Sequence, residues 1–308
     1  MSKSRDDFIK HLNAYREALA LEDVVNSGQV GRSSSKLLRN GLAVVAFNAL
    51  EDFFKSRVGE VLSDIGGSGV GFSELPEGVR KSSTFGVLNS IGMMAKHAAY
   101  DDDSKIRFIQ EETLKISSTK DDQSFQLTSY AYGYGNSNVG SGEIKRALKD
   151  FQVNDPWRVM SLISSKLGMS SLPLKDAYDN AAERRHKAAH VADANTLYPE
   201  LQSFLFDSVS IALSMDVLIS ECYRRISEKD HKYICGVKVD HSFVDAVMVK
   251  NNKSKWKVYL ASDMSRAKRA FSNKKDTVAK GRDLAVKKRL PLLVFDESHE
   301  LAEWCIYY

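Results

Sequence analysis

The segment SKLLRNGLAVVAFNALEDFFKSRVGEVL, residues 35–62, decides the fold. Its apolar side chains recur three and four residues apart, which is the spacing of a helix face, and they extend around much of the circumference. Ser33, Ser34 and Ser35 offer N-cap oxygens ahead of it, and GGSG at residues 66–69 ends it. A helix that is apolar on most sides should lie deep in a domain, so the sequence predicts a mainly α protein built around this segment.

The same periodicity predicts further helices on both sides of this segment. In chain order they cover residues 6–25, 76–99, 143–151, a stretch from Pro156, residues 173–190 and residues 198–225. Residues 101–104 are interpreted as a charged loop and as the cap of the element that follows, and the Gly-, Ser- and Asn-rich residues 128–138 as a long loop with some extended character. The helix over residues 76–99 is expected to bury Val87, Leu88, Ile91, Met93 and Met94.

After about residue 229 the pattern changes to short runs typical of strands. Strands are predicted over residues 233–239, 243–249, 255–260, 291–295 and 301–307, with one basic helix over residues 274–289 that buries Val278, Leu284, Ala285 and Val286. The sequence therefore predicts a helical domain over residues 1–228, followed by a small basic α+β domain over residues 229–308.

The charge is divided unevenly between these two parts. The 308 residues carry a net charge of +4, but residues 231–308 hold 16 Lys and Arg against 9 Asp and Glu, near +7. Two interpretations stay open: a surface that gathers RNA through its phosphates, or a solubilising or regulatory cap. The cations of this surface are Lys253, Lys255, Lys257, Arg266, Lys268, Arg269, Lys274, Lys275, Lys287, Lys288 and Arg289.

Several classes of protein are excluded by composition. No run approaches the roughly 20 consecutive apolar residues that span a bilayer, and the N-terminal residues do not have the pattern of a secretory signal. Cys222, Cys235 and Cys305 are too few and too far apart for a disulfide framework or a zinc site. We expect a cytoplasmic protein that does not contact a membrane and holds neither metal nor cofactor.

One polar stretch, RRHKAAH at residues 184–190, carries candidate chemistry. On a helix Arg185 and His190 are five residues and about 500° apart, so their side chains diverge by about 140°, while His186 stacks one turn before His190. Cleavage of RNA needs a base for the 2′-OH, an acid for the leaving 5′-oxygen and a cation at the phosphate. Histidine and arginine supply these groups without a metal. The plain alternative is a solvated basic helix end.

The context of this stretch resembles the HEPN superfamily, in particular the RiboL-PSP-HEPN and MAE-like prokaryotic ribonucleases. The likeness covers roughly residues 30–226 and rests on LAVVAFNALEDFF at residues 42–54, on residues 136–151, and on Arg185-His186-Lys187-Ala188-Ala189-His190, which fits the family's Arg, polar residue, three residues, His signature. The last residues, about 245–308, weakly resemble a short bacterial β-β-α-β-β domain without a known activity.

The HEPN resemblance implies a helical bundle that pairs as a homodimer, with two motif helices facing each other across a two-fold axis. One His190 would act as base and the other as acid, while Arg185 would stabilise the phosphate. Arg184 is the second candidate for that role, and His186 would line the cleft. Asn48, Glu51 or Asp52 is either a support for the motif from the early helix or a plain core or surface residue.

The function implied is a metal-independent endoribonuclease that acts on an RNA such as a tRNA or an mRNA, as a toxin or an antiphage effector. The alternative is a non-catalytic HEPN scaffold that binds RNA or dimerises. Val191 and Ala192 follow His190 where some family toxins carry His-x-Tyr, so no partner nucleotidyltransferase is predicted. Whether a partner protein or antitoxin exists is left open by the sequence.

Overall fold

A computed structural model describes residues 2–27, 32–97, 101–135, 138–169, 173–252 and 254–307, with side chains described outside residues 22–33. The helices and strands, in chain order, are α1 (Lys3–Ser27), α2 (Arg32–Gly66), α3 (Glu77–Lys81), α4 (Val87–His97), α5 (Asp102–Ser118), α6 (Ser141–Asp150), α7 (Pro156–Lys166), α8 (Leu174–His190), α9 (Tyr198–Ser227), α10 (His231–Ile234), β1 (Val247–Asn252), β2 (Lys255–Leu260), β3 (Arg269–Phe271), α11 (Lys274–Lys288), β4 (Leu292–Phe295) and β5 (Leu301–Cys305).

Helix accounts for 65% of the protein, and a small five-stranded sheet follows the helices. The prediction of a mainly α fold with a small α+β part at the C-terminal end is therefore confirmed at this level. The long helix α2 packs against α1, α8 and α9, as expected for a helix with apolar side chains on several sides. Its inward positions include Phe47, Phe54 and Val58, each at most 2% exposed.

The second central helix is α9, which is buried along most of its length. By length and mean hydropathy it is the one helix of the described residues that could cross a membrane, but 78% of its most apolar window is buried inside the protein. Such burial is typical of the core helix of a globular protein. The helix also carries a fully buried carboxylate, Asp216, whose partners come from three other elements.

The sheet has the strand order β3-β2-β1-β4-β5. Strands β1 and β4 are parallel and the other neighbouring pairs are antiparallel. Helix α11 connects β3 to β4 and covers one face, where it packs close at Gly281: a Cβ there would lie 2.8 Å from Cγ2 of Val249. The other face, through Leu293, Phe295 and Trp304, belongs to the same buried core as the helices. The sheet is thus a middle layer between α11 and the helical bundle.

Several boundaries within the C-terminal part differ from the prediction. The predicted strand over residues 233–239 is wrong: its first residues form α10, and Val239 makes only an isolated bridge to Val153. The buried Tyr233 ring instead places its hydroxyl on the Phe151 carbonyl, 2.7 Å away. The predicted strand over residues 243–249 begins only at Val247, because Phe243 ends a short 3₁₀ turn. Strand β3 was not predicted.

Some expectations about burial are also wrong. On the third predicted helix Leu88 is 55% exposed and Met93 lies on the surface, and the helix is divided by a π-helical turn over residues 82–86. Of the residues predicted to be buried on α11, Ala285 is buried but Val286 is 53% exposed. Residues 102–104, expected in a loop, begin α5, and only Asp101 caps it by accepting a hydrogen bond from the Ser104 amide. The prediction that Ser33, Ser34 or Ser35 caps α2 is wrong, because the helix begins at Arg32 and contains all three serines. Residues 136 and 137 of the predicted loop over residues 128–138 lie outside the described residues.

Candidate functional site

The stretch of residues 184–190 forms the last two turns of α8. Pro173 precedes the helix, and its buried face, through Leu174, Tyr178 and Ala181, packs against the bundle. These buried residues all precede residue 184. In the last two turns Arg184, Arg185 and Ala188 are half-buried and the other residues are exposed. The fold therefore presents the polar stretch at a helix end on the surface of the bundle.

His186 and His190 lie on this solvent side, and both are exposed. Their rings stack one turn apart, with the centroids 4.8 Å from each other and the planes tilted by 52°. No hydrogen bond from the described part of the chain fixes either ring. The two imidazoles are thus brought together and left accessible, which is the state that proton transfer to and from a ligand requires.

The two arginines lean toward different elements, and both are half-buried. Arg184 points to α9, where its Nε lies 3.7 Å from Oε1 of Glu200, and its charge opposes the rise that burial causes in the pKa of Asp207. Arg185 acts on α2 instead, through Glu51. In both side chains the Nε–H is buried and has no hydrogen-bond acceptor among the described residues.

Glu51 is the element of the site that comes from α2. It is only 5% exposed, and its Oε1 accepts a hydrogen bond from the Val139 amide at 2.6 Å. Burial raises the pKa of this carboxyl, and the Val139 bond and the charges of Lys55 and Arg185 lower it only in part. The hydroxyl of Tyr178 donates to the Val139 carbonyl, 2.6 Å away. Glu51 and Tyr178 therefore bind the same residue from two helices, beside Arg185.

The segment after His190 is fixed to α2 by a set of side-chain bonds. Asn40 donates from Nδ2 to the Ala194 carbonyl at 2.7 Å and accepts from the Thr196 amide at 3.0 Å. Arg39 donates from Nε to the Thr196 carbonyl at 2.8 Å. These bonds hold residues 194–196 against α2, and they therefore also fix the point where α8 ends.

An open cleft of about 540 Å³ adjoins the motif on the side of α9. It is lined by Asn180, Glu183, Arg184, Lys187, Val191, Ala194, Asn195, Thr196 and Glu200. Arg184 is the one predicted site residue that lines it. His186 and His190 lie on the neighbouring side of the helix, so the cleft and the two imidazoles are adjacent rather than shared.

The predicted residues therefore divide into two groups within one copy of the chain. His186 and His190 stack on the outer side of α8, whereas Arg185 lies on the side that faces α2, consistent with the divergence of about 140° that five helical residues produce. In the described residues, no group of three or more His, Cys, Asp or Glu side chains is placed to hold a metal ion.

Of the three candidate supports on α2, Glu51 is the one in the described part of the chain whose pKa is lowered by the charge of a motif residue, Arg185. Asp52 is exposed and lines a groove between α1 and α2. Burial is the main cause that raises the pKa of Tyr134, and Tyr130 and Asp52 add smaller contributions. Asn48 is half-buried. The signal that favours Glu51 is its position on a strongly apolar helix face, four residues after Phe47 and three before Phe54.

Comparison of the chain with protein-family models, with curated proteins and with solved structures gave no match. The resemblance to the HEPN superfamily therefore stays a prediction from the sequence, based on residues 42–54, 136–151 and 185–190.

Proposed function

We propose that the protein is a metal-independent endoribonuclease whose reaction centre is formed by His190 and Arg185 of two paired α8 helices. The observation that carries this proposal is the stacked and exposed pair His186–His190 at the end of a helix that also holds Arg185. Imidazoles accessible to solvent beside a guanidinium are the groups that metal-free cleavage of RNA uses. The HEPN resemblance supports the same reaction.

In this reaction one imidazole accepts the proton of the ribose 2′-OH. The 2′-oxygen attacks the adjacent phosphorus, the bond between phosphorus and the 5′-oxygen breaks, and a second imidazole protonates that leaving oxygen. The products are a 2′,3′-cyclic phosphate and a 5′-OH. Arg185 offsets the charge that builds on the non-bridging oxygens, and Glu51 orients Arg185 from below.

Pairing of two copies is part of the proposal because Arg185 and His190 diverge on one helix. Helix α2 packs against α8 and carries two exposed apolar side chains, Leu37 (74%) and Val45 (61%); Val191, directly after His190, is 49% exposed. Apolar side chains gathered near one site favour contact with another protein surface. A second copy seated there would bring its own α8 to the first.

The experiment is cleavage of a labelled tRNA pool in EDTA by the purified protein and by His190→Ala and Arg185→Ala. The matched controls are His11→Ala and Arg158→Ala, which remove the same side chains from exposed positions on α1 and α7. We expect cleavage by the wild type and both controls, with 2′,3′-cyclic phosphate ends. Each motif variant should lose at least 100-fold, because acid–base groups and groups that stabilise transition-state charge each typically contribute that much. Cleavage by His190→Ala at the wild-type rate would exclude the assignment.

Pairing is tested by Leu37→Glu and Val45→Glu, with Leu88→Glu on α4 as the control at another exposed apolar position. Sedimentation should show a dimer for the wild type and the control and a monomer for the two α2 variants, which should also lose cleavage. Active monomers would exclude the composite site.

The second candidate is a non-catalytic scaffold that binds RNA or dimerises. The observation that favours it is the placement of Arg185 and His190 on different sides of α8. RNA binding without cleavage, unchanged in His190→Ala, would identify it.

A further inference from the structure

Most described cations of the C-terminal sheet and α11 have no ion-pair partner among the residues that the structure describes. Among the described lysines and arginines from residue 231 onward, only Lys268, Lys280 and Arg289 make ion pairs, with Asp263, Asp283 and Glu228 respectively. The remaining described lysines and arginines of this part make no ion pair. The positive charge of this region is therefore available to a ligand.

Two of these unpaired cations lie directly opposite each other in the sheet. Lys250 on β1 is the register partner of Lys257 on β2, and Asn252 is the partner of Lys255. Side chains of paired residues share a face, and alternate residues along a strand do so as well. Lys250, Lys255 and Lys257 therefore lie on one face, opposite α11, since Val249 and Val258 pack under that helix. They lie at the end of β1 and the start of β2, where burial against the bundle gives way to exposure.

Lys250 is the most enclosed of the three. Its Nζ lies 3.9 Å from the centroid of the Phe295 ring and is close to Gly168, at which an added Cβ would be 3.9 Å away. Burial lowers the pKa of this ammonium, and no acidic neighbour opposes the change. Lys257 beside it is half-exposed.

This arrangement costs the folded protein stability. Like charges directly opposite in a sheet repel each other, and a partly buried ammonium loses hydration without gaining a carboxylate. A bound anion would remove both costs. A purely structural role would not need a second lysine at this register position.

We propose that Lys250, Lys255 and Lys257 form a site for the phosphate backbone of single-stranded RNA. The inference rests on the proposed function, because it assigns the site to the substrate of that reaction. Lys255 and Lys257 are about 7 Å apart along β2, which is comparable with the spacing of successive phosphates in one RNA strand. Three ammonium groups in this arrangement fit a chain of phosphates better than one isolated ion.

Binding is measured with a fluorescent 2′-O-methyl RNA, which the protein cannot cleave because the 2′-OH is blocked. The variants are Lys250→Gln, Lys257→Gln and the double variant. Lys280→Gln is the matched control, since it removes an exposed lysine of the same region that is already paired with Asp283. For each lysine removed, we expect weaker binding and a fall of about 0.7 in the slope of log K against log salt. The control should bind like the wild type.

Urea unfolding of the same variants separates binding from structure. The midpoint of Lys257→Gln should equal or exceed that of the wild type, because the substitution removes the repulsion with Lys250. A lower midpoint together with weaker binding would assign Lys257 a structural role and overturn the proposal. An unchanged salt slope in the double variant would also overturn it.

Two further arms identify the source of the phosphate and separate this proposal from the enzyme proposal. If the lysine substitutions weaken binding of pyrophosphate but leave RNA binding unchanged, the ligand of the site is a free phosphate compound and not RNA. Lysine-dependent RNA binding by a protein that cleaves no unmodified RNA would leave this site standing and remove the nuclease. Cleavage of unmodified RNA by the wild type, together with an unchanged salt slope in the double lysine variant, would support the nuclease and reject the lysine site.

Discussion

Two ion pairs with the same 2.6 Å separation have opposite surroundings. Arg57 Nε meets Asp216 Oδ1 in the core, where the side chains are 9% and 0% exposed, and Lys187 Nζ meets Glu183 Oε1 on α8, where they are 62% and 64% exposed. The buried carboxylate also accepts from Arg5 Nε at 2.9 Å and from Trp304 Nε1 at 2.8 Å. The exposed pair is a single ion-pair contact, and both of its side chains face solvent.

The difference shows what charge does in each place. A buried ion without its partners would pay a large desolvation cost, so the Asp216 cluster holds α1, α2, α9 and β5 in one arrangement. On the surface water replaces a lost partner, so the charges of α8 are free to meet a ligand. Distance alone does not separate a structural pair from an available one; burial does.

Replacement of Asp216 should have the largest effect on stability. Asp216→Ala leaves Arg5 and Arg57 buried without their shared anion, and we expect the free energy of unfolding in urea to fall by about 3–5 kcal/mol. Asp283→Ala, which breaks an exposed pair on α11, is the control and should unfold like the wild type. Equal stability of both variants would remove the distinction between the two regions.

The pH dependence of unfolding tests the same cluster. Burial alone would raise the pKa of Asp216, but the charges of Arg57 and Arg5 and the bonds from Arg57 and Trp304 outweigh it and hold the pKa below its ordinary value of 3.8. The stabilisation is therefore complete above the pKa of the unfolded chain and is lost as the pH falls through the folded pKa. The stability difference between wild type and Asp216→Ala should persist to pH 4 and shrink below it.

Trp304→Phe should have the next largest effect. The change keeps an aromatic ring near Phe8 and Phe53 but removes the Nε1–H donor to Asp216, so a loss of about 1.5–3 kcal/mol is expected for a bond to a charged group. Trp157→Phe removes a bond to the neutral Ser141 carbonyl and should cost about 0.5–1.5 kcal/mol. Equal losses would show that the charge of Asp216 does not matter to β5.

Glu51→Gln tests the buried core and the exposed motif together, because buried Glu51 interacts electrostatically with Arg185 of the motif. Because the pKa of Glu51 is raised above 4.5 in the folded protein, its ionisation destabilises the fold as the pH rises from 4.5 through that pKa. The amide of glutamine carries no charge and can still accept the hydrogen bond from the Val139 amide. At pH 7 the variant should unfold no earlier than the wild type. It should cleave RNA about tenfold more slowly, about 1.4 kcal/mol, because Arg185 loses its anion. A less stable variant with full activity would contradict the assigned role.

The parts of the fold that follow from local spacing could be predicted from the sequence. Helices α2, α8 and α9 repeat apolar residues at helical spacing over four turns or more, and β2 alternates as a strand does. The stretch at residues 233–239 has equally strand-like residues, but Tyr233 turns inward to reach Phe151. That contact joins residues 82 positions apart, so no local sequence pattern predicts it.

The site shows the same limit. RRHKAAH is visible as a motif because its residues are neighbours in the sequence. The partners of Asp216 from other elements lie 88 to 211 positions away, and the contact of Glu51 with Val139 spans 88. Lys250 and Lys257 become a pair only through the register of two strands. A motif that lies on one chain segment can be recognised in the sequence, whereas contacts that depend on the folding of several segments could not be predicted.

The smallest effect on stability is expected where the motif carries its own ion pair. Lys187→Gln and Glu183→Gln, alone or together, should leave the urea midpoint of unfolding unchanged, because water solvates either partner once the other is gone. Lys187 lowers the pKa of Glu183, so ionised Glu183 holds the lysine charge partly in check. RNA binding should therefore tighten in Glu183→Gln and weaken in Lys187→Gln, as measured by anisotropy with the 2′-O-methyl RNA. Opposite changes in binding at constant stability would show that the charges of α8 serve a ligand, and a shift of the midpoint without a change in binding would place them with the Asp216 cluster instead.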